Sequence, residues 1–141
     1  MSERGLRVAV VGVDLFEAVS AIVGAVGLVV GFMSIPLSVL HGTPFADFTV
    51  PALLLGVVVG GSALVAAALT AFGPRRYGAL ASAAAGCITV GYLTIEIAMI
   101  GLGSWAQVVW LVVGLLMIGL GALLWQAEPS AAGVRGSQQP A

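Results

Sequence analysis

The chain has no lysine, one cysteine and one histidine, and charged residues fill only 8% of its 141 positions. Each scarcity removes a class of function. A single thiol, Cys87, permits no intrachain disulfide and no thiolate metal cage. His41 stands alone, without a second histidine or a cysteine beside it, so no metal and no cofactor is expected. Five arginines against six acids give a net charge of -1. A nucleic-acid surface is therefore not expected, because displacing counterions from phosphates requires clustered cations. The exclusive use of arginine fits a GC-rich bacterial genome. Nucleophile–base pairs, a glycine loop before Lys-Ser or Lys-Thr, and metal-spaced ligands are all missing, so an enzyme is not expected.

What the chain has in excess is apolar surface: 60% hydrophobic residues and a mean hydropathy of +1.16, far outside the range of soluble domains. Four apolar runs, at about 13–33, 50–72, 79–100 and 105–125, each approach the roughly 20 residues that a helix needs to cross about 30 Å of hydrocarbon. The expected fold is all-α, a four-helix transmembrane bundle forming one domain over residues 1–126. Residues 127–141, rich in Ser, Gly, Gln, Ala and Pro, read as a disordered cytoplasmic tail. A cleavable signal peptide is not expected, since Asp14 and Glu17 interrupt the first run and no small-residue cleavage pattern follows Met33.

Arg4, Arg7, Arg75, Arg76 and Arg135 all fall on one predicted side. The positive-inside rule makes that side cytoplasmic and places both termini there, in a bacterial cytoplasmic membrane. Trp105 and Trp125 bracket the last run as an aromatic belt would.

Lipid is as apolar as leucine, so helix association here must rest on close backbone approach and a few polar contacts. Ser20, Gly24, Gly27 and Gly31 form a small-residue stripe at spacings of four, three and four in the first run. Gly56 and Gly60, continued by Ala63 and Ala67, repeat the pattern in the second. Ser82 with Gly86, and Gly114 with Gly121, extend it to the third and fourth.

Ionisable residues in such runs are costly and must be accounted for. Glu96, Tyr92 and Thr89 share a face of the third run, and Gln107 enters the fourth at a similar depth. Two readings stand for this cluster: an outward-facing site in which Glu96 receives a proton or a cationic group, or an interhelical hydrogen bond that sets the packing of two helices. Asp14 and Glu17 lie three apart on one face near the inner boundary, level with Arg75 and Arg76. Ion pairs between them are one expectation, and a proton-carrying Glu17 is the other. In the first outer loop, His41, Phe45, Asp47 and Phe48 form a candidate recognition surface, with Asp47 and Thr43 organising the turn at Pro44.

The run Leu15, Phe16, Glu17, Ala18, followed by Gly42 to Phe48 and then Val50 to Leu55, resembles a group of small four-span bacterial proteins common in actinobacteria. That resemblance implies topology and no activity. The chain is also similar in size and span count to the small multidrug resistance transporters, which carry an embedded Glu in their first span. Glu17 would occupy that role. Two functions follow: a membrane-embedded binding or accessory subunit, or a proton-coupled exporter of small molecules or cations acting as a dimer. The partners expected are the lipid bilayer and a second copy or a larger membrane complex.

Overall fold

In a computed structural model that describes residues 2–127, the chain is all-helical, with four helices long and apolar enough to cross a membrane. Arg135 and the rest of the tail lie outside the described residues.

Helix α1 spans Glu3–Val30. Ser2 starts it from an extended backbone, its hydroxyl accepting from Gly5 N at 3.1 Å, and Gly31 ends it in the left-handed region at φ 72°, where a side chain would be strained. A 3₁₀ turn, Leu37–Leu40, interrupts the loop that follows. Helix α2 spans Thr49–Phe72, but its Leu54–Gly60 segment is wound as a π-helix. Helix α3 spans Arg75–Ile100, entered through Pro74, and α4 spans Trp105–Gln126, capped by Ser104 and Gln107 in a reciprocal box.

The first helix begins ten residues before the expected Val13. Arg7 and Asp14, which made this stretch look like a boundary, both turn toward other helices: Arg7 is half-buried against the end of α2, and Asp14 is buried against Ser82. Arg7 donates to Thr70 O at 3.1 Å and to Gly73 O at 2.5 Å, closing the exposed carbonyl end of α2.

The helices form a ring in which α1 touches α2 and α4, α3 touches α2 and α4, and α1 and α3 face each other across the diagonal. The centre is built mainly from alanine: Ala18, Ala63, Ala66 and Ala85, with Val113 and Met117. A second cluster, Leu6, Val10, Ala79 and Leu124, closes the end that carries the arginines. The outward faces are Val, Leu, Ile and Phe, as a lipid solvent requires.

Close backbone approach is strongest between α3 and α4. A Cβ on Gly86 would lie 2.6 Å from Gly114 O, and one on Gly121 would lie 2.8 Å from Ala79 O. Gly56 and Gly60 of α2 sit against α1, where added Cβ atoms would meet Ala25 Cβ and Ile22 Cγ1 at 2.9 Å each. On α1 itself the packed face differs from the expected stripe. It runs through Leu6, Val10, Asp14, Glu17, Ala18, Ala21 and Ala25, and takes in Gly27 of the stripe. Ser20 turns its hydroxyl back to Phe16 O, Gly24 only grazes Leu55, Gly27 faces Met33 beyond its own helix end, and Gly31 is the cap.

Candidate functional site

Glu17 is the midpoint of α1, with residues 3–16 before it and 18–30 after it. A helix of 28 residues is about 42 Å long, which places both acids far from either end. Asp14 and Glu17 thus lie well within the helix rather than at its end. Their neighbours agree on depth. Ser82 and Thr89 flank the middle of α3, and Met117 and Gly114 lie in the middle of α4.

Both acids are fully buried, at 0% exposure. They point across the diagonal to α3, where Ser82 Oγ donates to Asp14 Oδ1 at 2.8 Å and Thr89 Oγ1 donates to Glu17 Oε1 at 3.1 Å. Ser82 and Thr89 are seven apart, two helical turns, and so present their hydroxyls on one face. Asp14 Oδ2 and Glu17 Oε2 are buried without a hydrogen-bond partner among the described residues.

Each hydroxyl has one proton and more than one acceptor. Thr89 Oγ1 also lies 3.1 Å from Ala85 O, and Ser82 Oγ lies 3.5 Å from Met117 O. When the hydroxyl proton points to the carboxyl oxygen, it stabilises a carboxylate. When it points to the backbone carbonyl, the hydroxyl oxygen is free to accept from a carboxylic acid. Rotation about a single C–O bond thus serves both protonation states without moving a heavy atom. For Thr89 the two acceptors are equidistant, so neither is favoured by length.

The arginines expected to pair with these acids are engaged elsewhere. Arg75 donates to the carbonyl of Ala127, and Arg76 lies over the Trp125 ring at 5.5 Å. The physical reason is depth: both arginines begin α3, while Ser82 lies about two turns and Thr89 about four turns further along. Thr70, at the far end of α2, carries the third buried oxygen without a partner among the described residues, its Oγ1. Gly78 packs directly on it.

The polar cluster expected on α3 divides in two. Gln107 Nε2 donates to Glu96 Oε1 at 2.9 Å, and Gln107 Oε1 accepts from Gly103 N at 3.0 Å and Ser104 N at 3.2 Å. That pair therefore ties α3 to α4 and orders the link between them. Tyr92 instead reaches Pro51 O on α2 at 3.4 Å, and Thr89 turns to Glu17.

The loop residues do not converge. Thr43 Oγ1 donates to Leu40 O at 2.7 Å and accepts from Phe45 N, whereas Asp47 Oδ1 accepts from Thr49 N at 2.9 Å, at the start of α2. That backbone bond holds the Asp47 carboxyl below its ordinary value. His41 is exposed, and Phe45 and Phe48 are half-buried.

Sequence inspection singled out Thr89 and Glu17 but joined neither to the other, and treated Ser82 as packing. The usable signal was the two-turn spacing of Ser82 and Thr89 on α3, matched to an acid pair on another helix. Comparison of the chain with family models, curated proteins and solved structures finds no match.

Proposed function

We propose that this chain is a multi-pass protein of a bacterial cytoplasmic membrane, with the arginine end cytoplasmic, that exchanges protons on Asp14 and Glu17 in exchange for a small cationic solute. The observation that supports this reading is one arrangement: two fully buried carboxyls at mid-helix, each facing a hydroxyl that suits both of its protonation states. Acids at this depth are expensive, and those that persist usually face a bundle interior and handle ions or protons. The central position of Glu17 is also in keeping with the role of the embedded acid in the small multidrug resistance transporters.

The alternative, a binding or accessory subunit, would draw on the loop surface of His41, Phe45, Asp47 and Phe48, which gathers no shared polar site, and on Glu96, Tyr92 and Gln107, whose polar atoms bond within the bundle. One experiment separates the two. In proteoliposomes containing a trapped pH-sensitive dye, external ethidium drives proton movement through the wild type. Glu17→Gln and Asp14→Asn abolish it, and Glu96→Gln leaves it intact. A wild-type protein that moves no protons would return the chain to the accessory role.

A further inference from the structure

The two ends of the bundle are held very differently. At the arginine end, Arg7 of α1 bonds the last carbonyls of α2, Arg75 of α3 bonds the carbonyl of Ala127 after α4, and Arg76 covers Trp125. Leu6, Val10, Ala79 and Leu124 fill the space between. At the loop end Gln107 ties α4 to Glu96 of α3, but the hydrogen bond that links α2 to α3 among the described residues is the 3.4 Å contact from Tyr92 to Pro51 O.

The π segment of α2 lies on this weaker side. A π-helix accommodates about one residue more than the α-helix it replaces, and conversion to α winding turns the chain beyond it by about 100°. Leu54–Gly60 packs on the part of α1 that follows Glu17. A Cβ on Gly60 would lie 3.4 Å from Ala18 O and 2.9 Å from Ile22 Cγ1, and one on Gly56 would lie 2.9 Å from Ala25 Cβ. Gly56 and Gly60 place no side chain between the two helices, and Leu55 of the segment lies against Gly24, so the segment meets α1 over small residues. The π winding also sets the phase of the first turns of α2, burying Ala52 at 3% exposure and aiming Pro51 O at Tyr92.

We propose that Leu54–Gly60 is the hinge of a gate at the loop end. Exchange of π for α winding turns Thr49–Leu53 away from α3, breaks the Tyr92–Pro51 contact and admits water toward Glu17, while the arginine end stays closed. This proposal rests on the proton-exchange reading for its purpose, though not for its test.

The test measures the motion directly. Spin labels at Val50→Cys and Leu102→Cys, both exposed at the loop end, are introduced with Cys87→Ser, and their separation is measured by pulsed electron resonance at acidic and alkaline pH. Two separations are expected in the wild-type background, with populations that shift with pH. Deletion of Val57, an exposed π-segment residue, removes the additional residue while keeping both flanking faces in phase. It should leave only the shorter separation and abolish proton exchange, whereas Val57→Ala should keep both separations. A single separation in the wild-type background at both pH values would overturn the hinge, whether or not the deletion variant folds. Persistence of both separations in a folded deletion variant would overturn it as well. Two separations in a wild-type protein that moves no protons would uphold the hinge and refute the proton-exchange reading.

Discussion

Asp14 and Ser82 meet across the diagonal of the bundle at 2.8 Å, both with 0% exposure, and together with the Glu17–Thr89 bond the contact joins two helices that pack mainly on other neighbours. Ser82→Ala removes the protein donor from a buried carboxyl. Hydrogen bonds between membrane helices contribute about 1 kcal/mol, so a loss of that order is expected in a steric-trapping unfolding measurement. Ser82→Thr, which restores the hydroxyl, should recover part of it and pay the remainder in crowding against Met117. Equal stability of Ser82→Ala and wild type would show that this contact does not hold α1 to α3.

Gly86 and Gly119 form a matched pair for testing backbone approach. A methyl on Gly86 would collide with Gly114 O, and one on Gly119 meets nothing within 4 Å. Gly86→Ala is therefore expected to lower stability by about 1–3 kcal/mol through overpacking, and Gly119→Ala to change it by less than about 0.5 kcal/mol. Thermal unfolding in detergent monitored by circular dichroism distinguishes the two.

Arg7 caps α2 through two carbonyls that no residue of α2 can satisfy. Arg7→Ala should fray the Thr70–Gly73 end, seen as faster amide exchange there while the loop end is unchanged. Arg7→Lys should rescue little, since an ammonium lacks the planar fork that reaches both oxygens.

Gln107 is expected to matter more for stability than Glu96. Gln107→Ala loses the reciprocal cap at Gly103 and Ser104 as well as the bond to Glu96, a change of about 1 kcal/mol. Glu96→Gln keeps an acceptor oxygen facing Gln107 and should unfold at nearly the wild-type temperature.

Asp47 supplies a pH dependence of known sign. Its carboxyl lies below the ordinary 3.8 because the charged form accepts from Thr49, so its contribution is present above pH 3.8 and is lost as pH falls through the lower folded value. Protection of the Thr49 amide, its exchange rate taken relative to that of an open amide at the same pH, should fall over that acidic window in the wild type. Asp47→Asn, which caps without titrating, should show no such loss of protection.

Four long apolar helices were legible in the sequence because hydropathy is a local property, and the glycines of α3 and α4 were legible because close approach demands them. The beginning of α1 was not. Arg7 and Asp14 resemble an interface when read along the chain, and only their partners, Thr70, Gly73 and Ser82, show that Arg7 caps a neighbouring helix and that Asp14 is interior. Those partners lie more than sixty positions away. The same distance hid the link from Glu17 to Thr89, whose α3 neighbours Tyr92 and Glu96 suggested a stripe that tertiary contacts divide. The π winding left no trace in residue pattern, since Leu54–Gly60 is as apolar as the α-helical residues after it.

The alanine centre has a mechanical meaning. Alanine has no rotamers, and valine has a single side-chain torsion, so in the cluster around the acids only Met117 can change shape appreciably. Walls of this kind cannot open by swinging side chains aside. Any path for water to Asp14 or Glu17 must come from displacement of whole helix segments, which makes access slow, all-or-none and sensitive to how the helix ends are tethered.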